Sequence, residues 1–208
     1  MRQPIEGGSV LGQPDISLRL RQAFPRTLLP HVNEALAIIP PCRIPLAEHE
    51  IGRANTHGET LHIPYRISSP VVTENDVAAL SDAPREILAC LYTRHHDGFV
   101  RQMYVPQLVP STAEWVAPFV LQLLGEYVVE IALIIERHVE TIPKESYRLF
   151  AAENPEFMRL TKQRIHSYHA CYYRGRFPLL REYPAVKVFE ALGLWSDGHG
   201  HQSPADGR

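Results

Sequence analysis

The stretch that most constrains this chain runs from residue 97 to 135, DGFVRQMYVPQLVPSTAEWVAPFVLQLLGEYVVEIALII, its most apolar part. Residues 115–135 alone match a bilayer in length. Gly125 interrupts them, however, and Glu126 and Glu130 lie near the middle. A carboxylate at the centre of a membrane helix costs roughly 3 kcal/mol on insertion scales. Two buried helices are therefore predicted, with Val128, Ile131, Leu133 and Ile135 in the core and Trp115, Phe119 and Leu123 packed near them. A buried carboxylate needs a partner. Glu126 and Glu130, four residues apart, are expected to pair with arginines such as Arg94 or Arg101 from a neighbouring helix.

Eighteen prolines cut the rest into short elements. Residues 1–16, rich in Gly, Pro and Gln, read as a disordered tail without the basic-then-apolar pattern of a signal peptide. Residues 17–79 form an N-terminal unit: a short helix at 17–23, breaks at Pro25 and Pro30, and a helix over 27–39, where Leu28, Leu29, Val32, Leu36 and Ile39 recur at helical spacing. Leu61, Ile63, Tyr65 and Ile67 alternate with polar residues, which is the period of a strand, and Pro64 restricts it to an edge or bulge. Residues 43–46 would pair with it across a turn at 52–59, giving either a small β-hairpin or an extended strap on the helices. Residues 80–195 are helical, with Ser81 or Asp82 capping one helix, Asn154 capping another ahead of Pro155, and Gly125 and Gly193 as stops. Residues 196–208 read as a second disordered tail.

The helical part carries a period. Turns open at Asp97-Gly98, Gly125, Asn154 and Tyr183, at intervals of 28, 29 and 29 residues, each between two apolar helical segments. Two helices per unit at constant spacing is the signature of stacked helix pairs. Asp97, Val100 and Arg101 resemble the turn-Asp and Val-Arg motif that opens the inner helix in short HEAT-like repeats of bacterial proteins. The likeness spans residues 80–192 and is degenerate, since Val129 and Met158 replace the arginine in later units. It implies a mostly α fold, a HEAT-like antiparallel helix-pair array (α-solenoid or compact helical bundle), presenting an extended binding face on its inner helices.

Catalytic signals are sparse. The sequence holds no P-loop, no GxGxxG and no nucleophile elbow, so no cofactor is predicted. His95 and His96 end a helix beside Asp97, but neighbours at a helix end point in different directions, which favours capping over metal binding. With Glu130 they define an alternative, a metal-dependent hydrolase. His166 and His169 share a helix face without an accompanying carboxylate and read as surface or groove residues. Three widely spaced cysteines without a CxxC favour a cytosolic thiol protein, and Cys90, in an apolar helix, reads as a small buried hydrophobe.

The net charge of −2 excludes a wholly basic nucleic-acid binder but not a local patch. Residues 157–181 contain Arg159, Lys162, Arg164, Arg174, Arg176 and Arg181 and no acid, interleaved with Tyr168, Tyr172, Tyr173 and Phe177. Arginine with aromatics suits protein interfaces and also phosphates with stacked bases. The predicted function is a non-catalytic module binding a protein partner, with Arg159, Lys162, Tyr172, Tyr173, Arg174 and Arg176 as candidate binding residues. Nucleic-acid binding through the same segment is the other reading.

Overall fold

A computed structural model of the chain describes residues 16–40 and 51–195. Among these residues ten α-helices and one two-stranded antiparallel sheet, with a few short 3-10 and π turns, make up the regular structure, so the fold is mostly α with a small hairpin. No helix among the described residues is long and apolar enough to cross a membrane.

The chain enters through α1 (Ile16–Arg21) and α2 (Leu29–Ile38). Pro30 lies in the first turn of α2, where its missing N–H has no intrahelical partner to lose. Phe24 stacks on Phe119 at 5.3 Å and meets Trp115 edge-on at 5.7 Å, fastening this segment to the later helices.

The hairpin pairs β1 (Ile51–Thr56) with β2 (Glu59–Pro64). The sequence places a turn over most of β1 and takes residues 43–46, which lie outside the described residues, as the partner strand. The turn needs only His57-Gly58, whose positive φ values of 50° and 78° suit the right-handed twist of the strands. Gly52, Ala54 and Thr56 look like turn or filler residues. In register they set small groups opposite Ile63, Leu61 and Glu59, so the bulky side chains of β2 close the buried face. Pro64 falls at the last pair of a sheet that has only edges.

The helices that follow are α3 (Glu74–Ala78), α4 (Asp82–Tyr92), α5 (Gly98–Leu108), α6 (Ala117–Leu124), α7 (Val129–Arg137), α8 (Lys144–Glu153), α9 (Pro155–Tyr168) and α10 (Pro184–Ala191). Asp97 caps α5 by accepting the Phe99 N–H at 2.8 Å. Gly125 stops α6, and a Cβ there would lie 3.1 Å from Thr161, so glycine permits the close approach of α6 to α9.

Each of the four evenly spaced turns precedes a helix, yet the helices do not stack in single file. The main neighbours of α7 are α10 and α5, with α6 also against it, while α9 packs on α6 and α8. The approach at Gly125 draws α9 onto α6. A π-helical turn at His169–Tyr173 and the loop after it then return the chain, so that α10 takes the place beside α7. The N-terminal segment is not set apart either: α2 packs on α4 and β1 on α8.

The core gathers Phe119 and Leu123 of α6 with Val129, Ile131, Ile134 and Ile135 of α7. Val128, Leu133 and Trp115 are half-buried, Val128 because it precedes the first turn of α7. Cys90 is fully buried, and burial pushes its thiol well above the ordinary range. Ile131→Ala is expected to lower stability by about 2–5 kcal/mol, read as a lower denaturant midpoint at unchanged slope.

Candidate functional site

One carboxylate organises the interior. Glu126 follows Gly125 at the end of α6, and its side chain is 1% exposed. Its Oε1 lies 3.0 Å from Nη1 of Arg66 and 3.0 Å from Nη1 of Arg94, and its Oε2 lies 2.9 Å from Nε of Arg101. Arg94 and Arg101 are fully buried. Arg101 also donates to the carbonyls of His95 at 2.7 Å and His96 at 3.0 Å, which fixes the turn between α4 and α5. Three guanidinium groups on one carboxylate leave an excess of positive charge in a poorly solvated place. Burial lowers the pKa of Arg94 to about 10, with Glu126 opposing the shift.

The expected pairing of Arg94 and Arg101 with a buried carboxylate holds for Glu126 alone. Glu130 is exposed, 3.7 Å from Arg176. The two glutamates part because residues 125–128 are not helical: α7 starts at Val129, so the spacing of four does not put them on one face.

Beside this cluster opens a groove of about 880 Å³ between β1 and the start of α9. Tyr65, Gln122, Phe157, Leu160, Thr161 and Arg164 line it, together with Arg53 and Asn55 of β1 and residues 153–156. Gln122 and Tyr65 join groove to cluster, since Gln122 lies one turn before Glu126 and Tyr65 adjoins Arg66. The Tyr65 ring has the Arg66 guanidinium 4.3 Å and the Arg164 guanidinium 5.3 Å from its centre. Gln122 is 4% exposed, and its Oε1 has no hydrogen-bond donor among the described residues.

Asn154 does not cap α9 through its side chain. Its Oδ1 accepts the Asn55 N–H at 2.6 Å, and its Nδ2 donates to the Asn55 carbonyl at 2.8 Å and to the Phe150 carbonyl at 2.8 Å. The carboxamide thus ties β1 to the α8–α9 corner. Capping is a local choice, and here a strand ninety-nine residues away offers a matched donor and acceptor.

The basic segment is divided by the fold. Arg159 holds Glu156 through two hydrogen bonds of 2.7 and 2.5 Å. Lys162 lies over the Trp195 ring at 5.8 Å, and Arg176 faces Glu130. Arg174 is exposed, and Tyr172 is 71% exposed. Tyr173 is half-buried, donating its hydroxyl to the Tyr127 carbonyl and stacking on Tyr183 at 5.6 Å. Glu130 and Glu156, both outside the count of residues 157–181, return negative charge to that surface.

The histidines do not converge. His95 is buried with both ring nitrogens engaged: Nε2 donates to the Ser69 carbonyl at 2.9 Å and Nδ1 accepts the Asp97 N–H at 3.0 Å. His169 bonds the Phe177 carbonyl at 2.8 Å, while His166 packs against Trp195. Among the described residues no group of three or more His, Cys, Asp and Glu is placed to hold a metal ion.

No family model, curated protein or solved structure matches the chain. The groove and its charged wall therefore stand on their own geometry.

Glu126→Gln is expected to cost about 3–5 kcal/mol in denaturant unfolding, because three guanidinium groups lose their counter-charge. Burial also pushes the His95 imidazole below its ordinary 6.5. The unfolded chain then takes up the proton first, so stability falls as pH drops through 6.5 toward the lower folded value. A His95→Gln variant is expected to lose less stability than the wild type over that window, in parallel melts at pH 7 and 5.

Proposed function

We propose that the chain is a non-catalytic binding protein that holds a segment of a protein partner in the groove between β1 and α9. The observation that carries this reading is the character of the groove. Its volume of about 880 Å³ is that of a ligand site, and Tyr65, Phe157 and Leu160 give it aromatic and apolar walls. A few polar groups are set among them, foremost the buried Gln122 with its unmatched Oε1. Tyrosine and arginine side by side are also the residues that dominate protein-interface energetics.

The nucleic-acid reading keeps one specific support, the exposed Tyr172 beside Arg174 and Arg176. Against it, Arg176 and Arg159 already face Glu130 and Glu156. Two variants separate the readings. Leu160→Arg places a charge in the groove at a side chain that is already 41% exposed, and is expected to abolish protein capture from the native host while leaving the melting temperature near wild type. Replacing Arg174 and Arg176 by Gln is expected to leave capture intact. Retention of DNA or RNA at low salt that weakens steeply with added salt, and disappears in the double Gln variant, would decide for nucleic acid instead.

A further inference from the structure

We propose that the partner segment is an extended, acidic peptide that adds to the hairpin as a third strand along the edge of β1 that is turned away from β2. This rests on the protein-binding reading above and gives it a mode and a chemistry.

Backbone parity carries the proposal. Successive residues of an antiparallel strand turn their N–H and C=O alternately toward the paired strand and away from it. The His62 N–H leaves the hairpin to bond the Gln22 carbonyl at 2.8 Å, so the pair formed by His62 and Arg53 faces outward on both strands. Asn55 agrees, since its N–H and C=O are both held by Asn154 from outside the sheet. Arg53, two residues before Asn55, therefore presents its N–H and C=O on the same outer edge. No described residue bonds them. Gly52, Arg53 and Asn55 all line the groove, so this open edge faces the cavity and not bulk water alone.

Asn154 already stands where a third strand would begin. Its carboxamide offers Asn55 the acceptor and donor that a strand residue offers, and the Phe150 carbonyl holds it in place. A strand continuing past it meets Arg53 about 7 Å further on. An edge without a partner among the described residues is what strand addition uses: main-chain bonds give affinity, and pockets for alternate side chains give specificity.

Charge selects the side chains. Arg53 and Arg164 flank the groove and face two carboxylates in its lining, Glu153 and Glu156, of which Glu156 is occupied by Arg159. Behind Tyr65 the Glu126 cluster sets three guanidinium groups against one carboxylate, and Arg66 is its most exposed member. A positive field in a poorly solvated wall favours Asp or Glu on the incoming strand.

The test pans a displayed heptapeptide library on the full chain, then measures the selected sequences as synthetic peptides by fluorescence polarisation. Asp and Glu are expected to be enriched. N-methylating peptide amides of one parity should weaken binding by about tenfold or more, and of the other parity little, because only one side of the strand faces β1. Arg53→Pro removes the outward N–H without touching the ladder to β2, and should weaken binding well beyond Arg53→Gln. Protection of the Ala54 amide from exchange confirms that the hairpin survives in the Pro variant. If Leu160→Arg abolishes binding but N-methylation has no parity and Arg53→Pro equals Arg53→Gln, strand addition is wrong and the groove reading stands. If no peptide is enriched, or those selected ignore Leu160→Arg, both are wrong. A dimer of the full chain in sedimentation velocity that Arg53→Pro dissolves would assign the edge to a second copy and overturn the peptide.

Discussion

The structure depends on one desolvated carboxylate. Glu126 draws together Arg66 from the segment after the hairpin, Arg94 from the end of α4 and Arg101 from the first turn of α5. These residues are distant in sequence, and each would be costly to bury alone. Together they fix how the hairpin unit, the α4–α5 turn and the end of α6 meet. The arrangement specifies position more than it adds stability. Charged groups of opposite sign tolerate few alternative packings, whereas the aliphatic core around Ile131 and Leu123 would accept several.

The same cluster shapes the surface beside it. The excess positive charge reaches the groove through Arg66 and Tyr65, and Arg164 lies against the same ring. Asn154 performs a comparable double task at the other end, closing the α8–α9 corner and holding β1 in place. The groove thus lies between two polar fixtures that also hold the fold together. On the proposed binding reading, a ligand would meet a site whose backbone is preorganised, which reduces the ordering cost of binding.

Several features were legible in the sequence because they are local. The helical periodicity and the stops at Gly125 and Gly193 are properties of a few adjacent residues, as is the turn at Asp97-Gly98. The need of a buried carboxylate for arginines could also be read, since the carboxylate lies in an apolar run and few cations are near. Other features were not legible. Gly52, Ala54 and Thr56 look like a turn until Ile63, Leu61 and Glu59 are placed opposite them. Asn154 before Pro155 has the composition of a cap, and only a strand ninety-nine residues away diverts its side chain. The basic run at 157–181 looks uniform because the acids that meet it, Glu130 and Glu156, lie outside the run.

By itself the sequence determined a mostly α chain, the turns between its later helices, and most of the residues too apolar to face water, because hydrophobic period and backbone preference act over one or two turns of chain. Tertiary structure alone decided the rest. It decided that evenly spaced turns would not give a single-file array, since the missing side chain at Gly125 lets α9 settle on α6. It decided that Glu126 and Glu130 would have different fates, and that Gln122, Tyr65 and Arg53 would line one groove. Neither period nor composition encodes which distant surfaces come within a hydrogen bond of each other; packing and desolvation settle that once the chain has closed.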